Sequence, residues 1–68
     1  MDDFFAVWEA AKDKFDLERK VHIDFDEAYI RITSGKMFVM KVEGSYEEVE
    51  EMYQTAAYKL LEWIRRRS

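Results

Sequence analysis

One stretch of the sequence collects the residue types that can bind a cation or transfer a proton. His22, Asp24 and Asp26 alternate along a predicted strand, and Glu27 follows directly. Because every second side chain of a strand lies on one face, an imidazole and two or three carboxylates could converge there. Such a set can hold a divalent cation or act as an acid–base pair. The alternative, which we favour, is a solvated strand face whose charges keep an edge from pairing with other chains.

The composition narrows the chemistry further. With one histidine and no cysteine, the chain has no disulfide, no thiolate metal site and no Cys/His nucleophile pair. It has no glycine-rich phosphate loop. A three-stranded sheet with helices on one side offers little room for a catalytic pocket. We therefore predict a protein that is not an enzyme and has no catalytic, cofactor-binding or metal-binding residue.

Hydrophobic periodicity predicts a helix, three strands and a second helix. An apolar stripe at helical spacing predicts helix 1 over residues 3–17, with Asp2 or Asp3 as its cap. The stripe consists of Phe4, Trp8, Ala11 and Phe15. Alternation in the strands predicts the residues that face the core. These are Val21, Ile23 and Phe25 in the first strand, Ala28, Ile30 and Ile32 in the second, and Phe38, Met40 and Val42 in the third.

The turn between the second and third strands determines which residues share a face. A three-residue loop over 33–35, with Gly35 in the left-handed conformation, is a common hairpin solution. It pairs Ile30 with Phe38 and keeps the apolar residues together. A two-residue loop would set Ile30 against Val39 and split the hydrophobic set, so we predict the three-residue loop.

Helix 2 is predicted from Ser45 to about Arg66. Ser45 and Glu48 have the spacing of a capping box. The glutamates within 47–51 and the arginines at 65–67 suit the two ends of the helix dipole. The acidic run could instead mimic DNA phosphates, and the arginines could bind phosphate. We favour ordinary solvated helix ends for both groups.

These elements predict an α+β fold for a single domain over residues 1–68. It is an α-β-β-β-α two-layer sandwich, in which two helices pack on one face of a three-stranded antiparallel sheet. The stretch Glu43-Gly44-Ser45 leads into a helix that contains Ala56 and Ala57. In this junction and in its element order, the chain resembles the double-stranded-RNA-binding domain. The resemblance implies RNA binding through a basic cluster at the start of the last helix, but residues 46–51 are largely acidic here and would repel RNA.

The outer face of the predicted sheet carries more apolar side chains than a purely solvated face usually holds. The candidate interaction surface comprises Tyr29, Arg31, Met37, Val39 and Lys41. Apolar patches rimmed by charge often mark association surfaces, so we expect a homodimer or a protein partner to dock there. The alternative is ordinary β-propensity, since aromatic and branched residues suit strands even when they are exposed.

Charge and length limit the partners. The net charge is −4, from 15 acidic and 11 basic residues, which disfavours binding to nucleic acids and anionic membranes. No apolar run approaches the roughly 18 residues of a membrane span, and the acidic start of the chain is unlike a signal peptide. We expect a cytoplasmic protein.

The sequence thus predicts a non-catalytic scaffold or protein-interaction module that needs no cofactor. Glycines only at predicted junctions, with no proline and no cysteine, are also what idealised design prescribes, so a de novo designed protein without a natural function is one possible origin. The alternative function is nucleic-acid-related. It would be a degenerate double-stranded-RNA-binding-like fold or a small acidic inhibitor of a nucleic-acid enzyme.

Overall fold

The computed structural model describes residues 3–67, which form two helices and three strands in the order α-β-β-β-α. The strands make one antiparallel sheet in the order β1-β2-β3. Both helices contribute to a single hydrophobic core on one face of that sheet. The predicted α+β fold is therefore confirmed. In the described part of the chain, no helix is long and apolar enough to cross a membrane.

The first helix, α1, spans Phe4–Ala11 and is shorter than predicted. Its cap is Asp3, whose carboxylate accepts the backbone N–H of Phe5 at 3.4 Å. The other predicted cap, Asp2, lies outside the described residues. The prediction that α1 continues to Leu17 is wrong, because Leu17 is the first, buried residue of β1.

The early end of α1 is explained by contacts with a distant part of the chain. Asp16, five residues after α1, has a φ of 53°, a left-handed conformation that prevents the helix from continuing to Leu17 and that aspartate tolerates better than most residues. The carbonyl of Asp16 accepts the Gly35 N–H at 2.9 Å. The carbonyl of Phe15 accepts the Ser34 hydroxyl. The segment after α1 is therefore tied to the hairpin between the second and third strands.

The strands are β1 (Leu17–Ile23), β2 (Ala28–Ser34) and β3 (Met37–Gly44). In the central strand, Ile30 lies opposite Val21 on one side and Val42 on the other. Directly opposed residues share a face of the sheet. The inward set predicted for β2 is confirmed in full, and the set predicted for β3 is confirmed except for Phe38. Their buried members are Ala28, Ile30, Ile32, Met40 and Val42.

The predicted three-residue hairpin loop is wrong. The turn has two residues, Gly35 and Lys36, with Gly35 at a φ of +58°. Ile32 lies opposite Met40, while Thr33 lies opposite Phe38, so the register shifts between Ile32 and Thr33. This shift is a β-bulge that places one extra residue in β3. It keeps Met40 inside despite the short turn, and it leaves Phe38 on the outer face, 55% exposed.

A 3-10 turn at Tyr46–Glu48 leads into the second helix, α2, which spans Val49–Arg67. The Glu48 carboxylate accepts the Ser45 backbone N–H at 3.0 Å and the Ser45 hydroxyl at 2.8 Å. The predicted capping box is therefore confirmed. It fixes the point at which the chain leaves the sheet and turns back across it.

The helix α2 lies across β3 and β2, and α1 packs on α2 rather than broadly on the sheet. The small residues Ala56 and Ala57 are buried in the middle of α2, which permits a close approach to its neighbours. Leu60, one turn further on, is fully buried. Because α1 has only eight residues, it leaves part of the sheet's inner face at β1 uncovered.

Candidate functional site

The acidic residues around His22 do not converge. His22 lies on the outer face, where its ring stacks on Tyr29 with centroids 5.4 Å apart. Its Nε2 lies 3.9 Å from the Glu27 carboxylate. The Asp24 carboxylate accepts the backbone N–H of Phe25 at 2.7 Å, which shapes the turn after β1. Within residues 3–67, no three or more histidine, aspartate or glutamate side chains are grouped so that they could hold a metal ion.

Three residues of the predicted interaction surface do lie together on the outer face. The Lys41 ammonium lies 4.9 Å from the Tyr29 ring centroid, and the Lys41 amine also pairs with Glu43 at 3.0 Å. Arg31 lies directly opposite Lys41 in the sheet, and its guanidinium lies 5.9 Å from the ring centroid of Phe38. The basic and aromatic side chains of this face therefore engage one another.

The other two residues of that predicted surface face elsewhere. Val39 is half-buried and packs against the core. The Met37 sulfur accepts a hydrogen bond from the Arg67 guanidinium at the end of α2, which lies on the inner side of the sheet. The cause is the β-bulge in β3, opposite Ile32 and Thr33, which reverses the side of the sheet on which the first residues of β3 lie. The outer face gains Phe38 instead and is less apolar than predicted.

A larger apolar surface lies on the opposite side, at the end of β1. Val21 and Ile23 share the inner face with Ile30 and Ala28, as predicted. They nevertheless remain 36% and 47% exposed. Phe25 was predicted to be a third inward strand residue, but β1 ends at Ile23 and Phe25 is 86% exposed.

Two further aromatic residues adjoin this set, Tyr46 through Phe25 and Phe5 through Arg19, the same-face neighbour of Val21. The Tyr46 ring lies 5.8 Å from the Phe25 ring, and Phe5 extends from α1 towards Tyr53 with ring centroids 5.4 Å apart. Phe5 and Tyr46 are both exposed. We refer to the exposed set as the β1 shelf. It consists of Phe5, Val21, Ile23, Phe25 and Tyr46.

Arg19 marks the limit of what α1 covers. Its guanidinium lies 5.1 Å from the ring centroids of both Phe5 and Trp8. A long cationic side chain therefore fills the space between β1 and α1 where an apolar residue would otherwise join the core. Two residues further along β1, at Val21, the inner face is open to solvent. The sequence signal for this opening was the arginine itself, on the face that alternation assigns to the core.

The backbone next to the shelf is also open. β1 is an edge strand that pairs with β2 alone among the described residues. The Asp24 N–H donates to the Glu27 carbonyl at 2.8 Å, so the Asp24–Glu27 pair is a hydrogen-bonded one. Because such pairs alternate along an antiparallel ladder, the N–H and C=O groups of Arg19, Val21 and Ile23 point away from β2. The apolar side chains of the shelf thus lie beside a row of outward-pointing donors and acceptors.

Two other depressions on the surface of residues 3–67 lack this combination. One groove runs between α1 and α2 past Ala10, Phe15 and Leu61, and another runs between β3 and α2 past Lys59 and Trp63. Both are open to solvent rather than enclosed. Neither would shield a bound small molecule from water, as ligand pockets do.

The chain matches no protein-family model, no curated protein sequence and no solved structure. None of these comparisons supports the resemblance to the double-stranded-RNA-binding domain. Where that family places its basic cluster, Glu47, Glu48, Glu50 and Glu51 are exposed here. The geometry of the shelf and of the β1 edge is the basis for a functional proposal.

Proposed function

We propose that this protein is a non-catalytic interaction module that binds an extended polypeptide strand along β1. The observation that carries the proposal is that apolar side chains and outward-pointing backbone groups coincide on Val21 and Ile23. In strand addition, main-chain hydrogen bonds to an open sheet edge supply affinity, and contacts with alternate side chains supply specificity. The open β1 edge provides the main-chain hydrogen bonds, and the β1 shelf provides the side-chain contacts.

The exposed apolar set supports binding over simple solvation. Natural proteins protect edge strands with charges, bulges or covering elements, since an open apolar edge promotes aggregation. The outer-face residues of β1, Glu18 and Lys20, follow that rule. Val21 and Ile23 on the inner face do not. Complete burial of an exposed aliphatic side chain contributes about 1.5–3 kcal/mol, and a bound strand would gain the share that corresponds to the exposed 36% of Val21 and 47% of Ile23.

The strand that fits has a definite pattern. Directly opposed residues share a face, so the bound strand must place apolar side chains beside Val21 and Ile23. On the other face it must match Lys20 with an acid and Asp24 with a base. The occupant is thus a strand with alternating apolar and charged residues, a pattern typical of protein partners and absent from nucleic acids.

The proposal is tested by selecting peptides from a random phage-displayed library on the immobilised protein. We expect wild type to enrich alternating apolar–charged peptides, and Ile23→Lys to lose that enrichment. The matched control is Tyr58→Lys, which makes the same change at an exposed site on α2 and should enrich as wild type does. Equal enrichment on Ile23→Lys, or none on wild type, would overturn the proposal.

A second variant separates strand pairing from nonspecific apolar adhesion. The chain is short enough for chemical synthesis, and N-methylation at Val21 removes an N–H that points away from β2. We expect this change to abolish peptide binding while the circular dichroism spectrum and melting temperature stay close to those of wild type. Retained binding would show that the edge is not used.

A further inference from the structure

We infer that the strand bound along β1 is β1 of a second copy of this chain, in antiparallel register with His22 on the twofold axis. This inference rests on the proposed function and names its partner. A twofold axis perpendicular to the sheet joins the same edge of both copies, as isologous dimers require. The two sheets then form one six-stranded sheet, with both helical layers on the same side.

The inner face of β1 complements itself in this register. Val21 lies opposite the partner's Ile23, and Ile23 lies opposite the partner's Val21. The outward-pointing backbone groups of both residues become paired, because both belong to the set that faces away from β2.

Charges on both faces decide the register. With His22 on the axis, Lys20 lies opposite the partner's Asp24 twice, and opposite charges stabilise a cross-strand pair. With Lys20 on the axis, two lysines face each other. With Arg19 on the axis, Glu18 lies opposite the partner's Lys20, but two arginines face each other on the inner face. With Val21 on the axis, Glu18 lies opposite the partner's Asp24. Like charges directly opposite are destabilising, so these three registers are disfavoured.

The length of β1 excludes a shift in the other direction. The strand ends at Ile23, and the chain then turns through the Asp24–Glu27 hydrogen bond. With Ile23 on the axis, the two strands would overlap at that residue alone. The register centred on His22 pairs the strand residues 21–23 and adds the two Lys20–Asp24 contacts at its ends.

Sedimentation velocity over a concentration series tests whether the dimer exists. We expect wild type to pass from monomer to dimer as concentration rises. Ile23→Lys should remain a monomer, and Tyr58→Lys should dimerise as wild type does. A wild-type monomer at every concentration overturns this inference. The peptide selection on the same edge decides independently whether the proposed function survives, because it needs no second copy.

Single-cysteine variants read the register, since the chain contains no cysteine of its own. Lys20→Cys, Val21→Cys, His22→Cys and Ile23→Cys are each oxidised under mild conditions. A residue on the axis lies about 4.5 Å from its symmetry mate between Cα atoms, within the range for a disulfide. We expect His22→Cys to cross-link fastest. Lys20→Cys should be slow, because its mate lies roughly 13 Å away. A faster rate at position 20, 21 or 23 overturns the register.

Charge reversal gives a check that does not depend on cysteine chemistry. Lys20→Asp sets two acids opposite each other, and Asp24→Lys sets two bases opposite each other, so each should weaken the dimer at least tenfold. The double variant exchanges the partners and should restore dimerisation to near the wild-type level. A double variant as weak as the single variants contradicts the Lys20–Asp24 pairing.

Discussion

The guanidinium of Arg19 lies 5.1 Å from the ring centroid of Trp8. This contact joins the edge strand β1 to α1, which otherwise packs mainly on α2. The same guanidinium lies equally close to Phe5. Cation–π contacts at exposed sites contribute about 0.5–1 kcal/mol each. The arginine both stabilises α1 and fixes where the β1 shelf begins.

Arg19→Ala is expected to lower the free energy of unfolding by about 1–2 kcal/mol, because two cation–π contacts and the packing of the side-chain stem are lost. Urea denaturation followed by tryptophan fluorescence measures the change. The control is Glu18→Ala, the preceding residue, which is exposed on the outer face and should change stability by less than about 0.5 kcal/mol. Equal effects of the two variants would contradict a bridging role for Arg19.

A side chain at Gly44 is expected to displace Met52, because a Cβ there would lie 2.8 Å from the Met52 sulfur and Met52 is buried. Gly44→Ala should lower the free energy of unfolding by about 1–3 kcal/mol through overpacking. In the double variant with Met52→Ala, the new methyl group occupies the space that the Met52 side chain leaves. The loss of unfolding free energy in the double variant should therefore be smaller than the sum of the losses in the two single variants. Strict additivity in urea denaturation would contradict the close approach.

Much of the fold follows from local signals in the sequence. The capping pair Ser45 and Glu48 lies where their spacing predicts, and Gly35 takes the left-handed conformation that its turn requires. The alternation of Ala28, Ile30 and Ile32 assigns the buried face of the central strand. Each of these signals depends only on residues a few positions away. In the central strand β2, the apolar face can be assigned because the helices cover one face of the sheet.

The features that were mispredicted depend on distant contacts. α1 does not continue to Leu17, because the turn that follows it is bonded at Phe15 and Asp16 to Ser34 and Gly35, far along the chain. The two-residue turn appeared to split the hydrophobic set, but the bulge before Thr33 restores Met40 to the core. The same shift removed Met37 and Val39 from the outer face. The exposure of the β1 shelf follows from the length of α1, and Arg19 on the inner face is its one signal in the sequence.

The capping box is expected to matter for the junction between sheet and helix. Glu48→Ala removes the acceptor for both the backbone N–H and the hydroxyl of Ser45. It should lower the free energy of unfolding by about 0.5–2 kcal/mol. Glu47→Ala, at the adjacent exposed position where no such bond is formed to Ser45, serves as the control. Equal losses in urea denaturation would show that Glu48 acts through charge alone.

Leu60 is expected to be a site where one truncation comes close to unfolding the domain. It is fully buried between the helices and the sheet. Leu60→Ala should cost about 2–5 kcal/mol, while a core of this size rarely supplies more than roughly 3–5 kcal/mol in total. Thermal denaturation followed by circular dichroism should therefore show a large fall in melting temperature or no cooperative transition.

Two further variants keep that prediction decisive. Leu60→Met conserves volume and should cost less than about 1.5 kcal/mol, so a folded reference exists even if Leu60→Ala does not fold. Tyr58→Ala removes a larger side chain on the same helix at an exposed position, and it should change stability by less than about 0.5 kcal/mol. A larger fall in melting temperature for Tyr58→Ala than for Leu60→Ala would mean that α2 packs through the face that carries Tyr58. The assignment of the uncovered end of β1 would then be wrong as well.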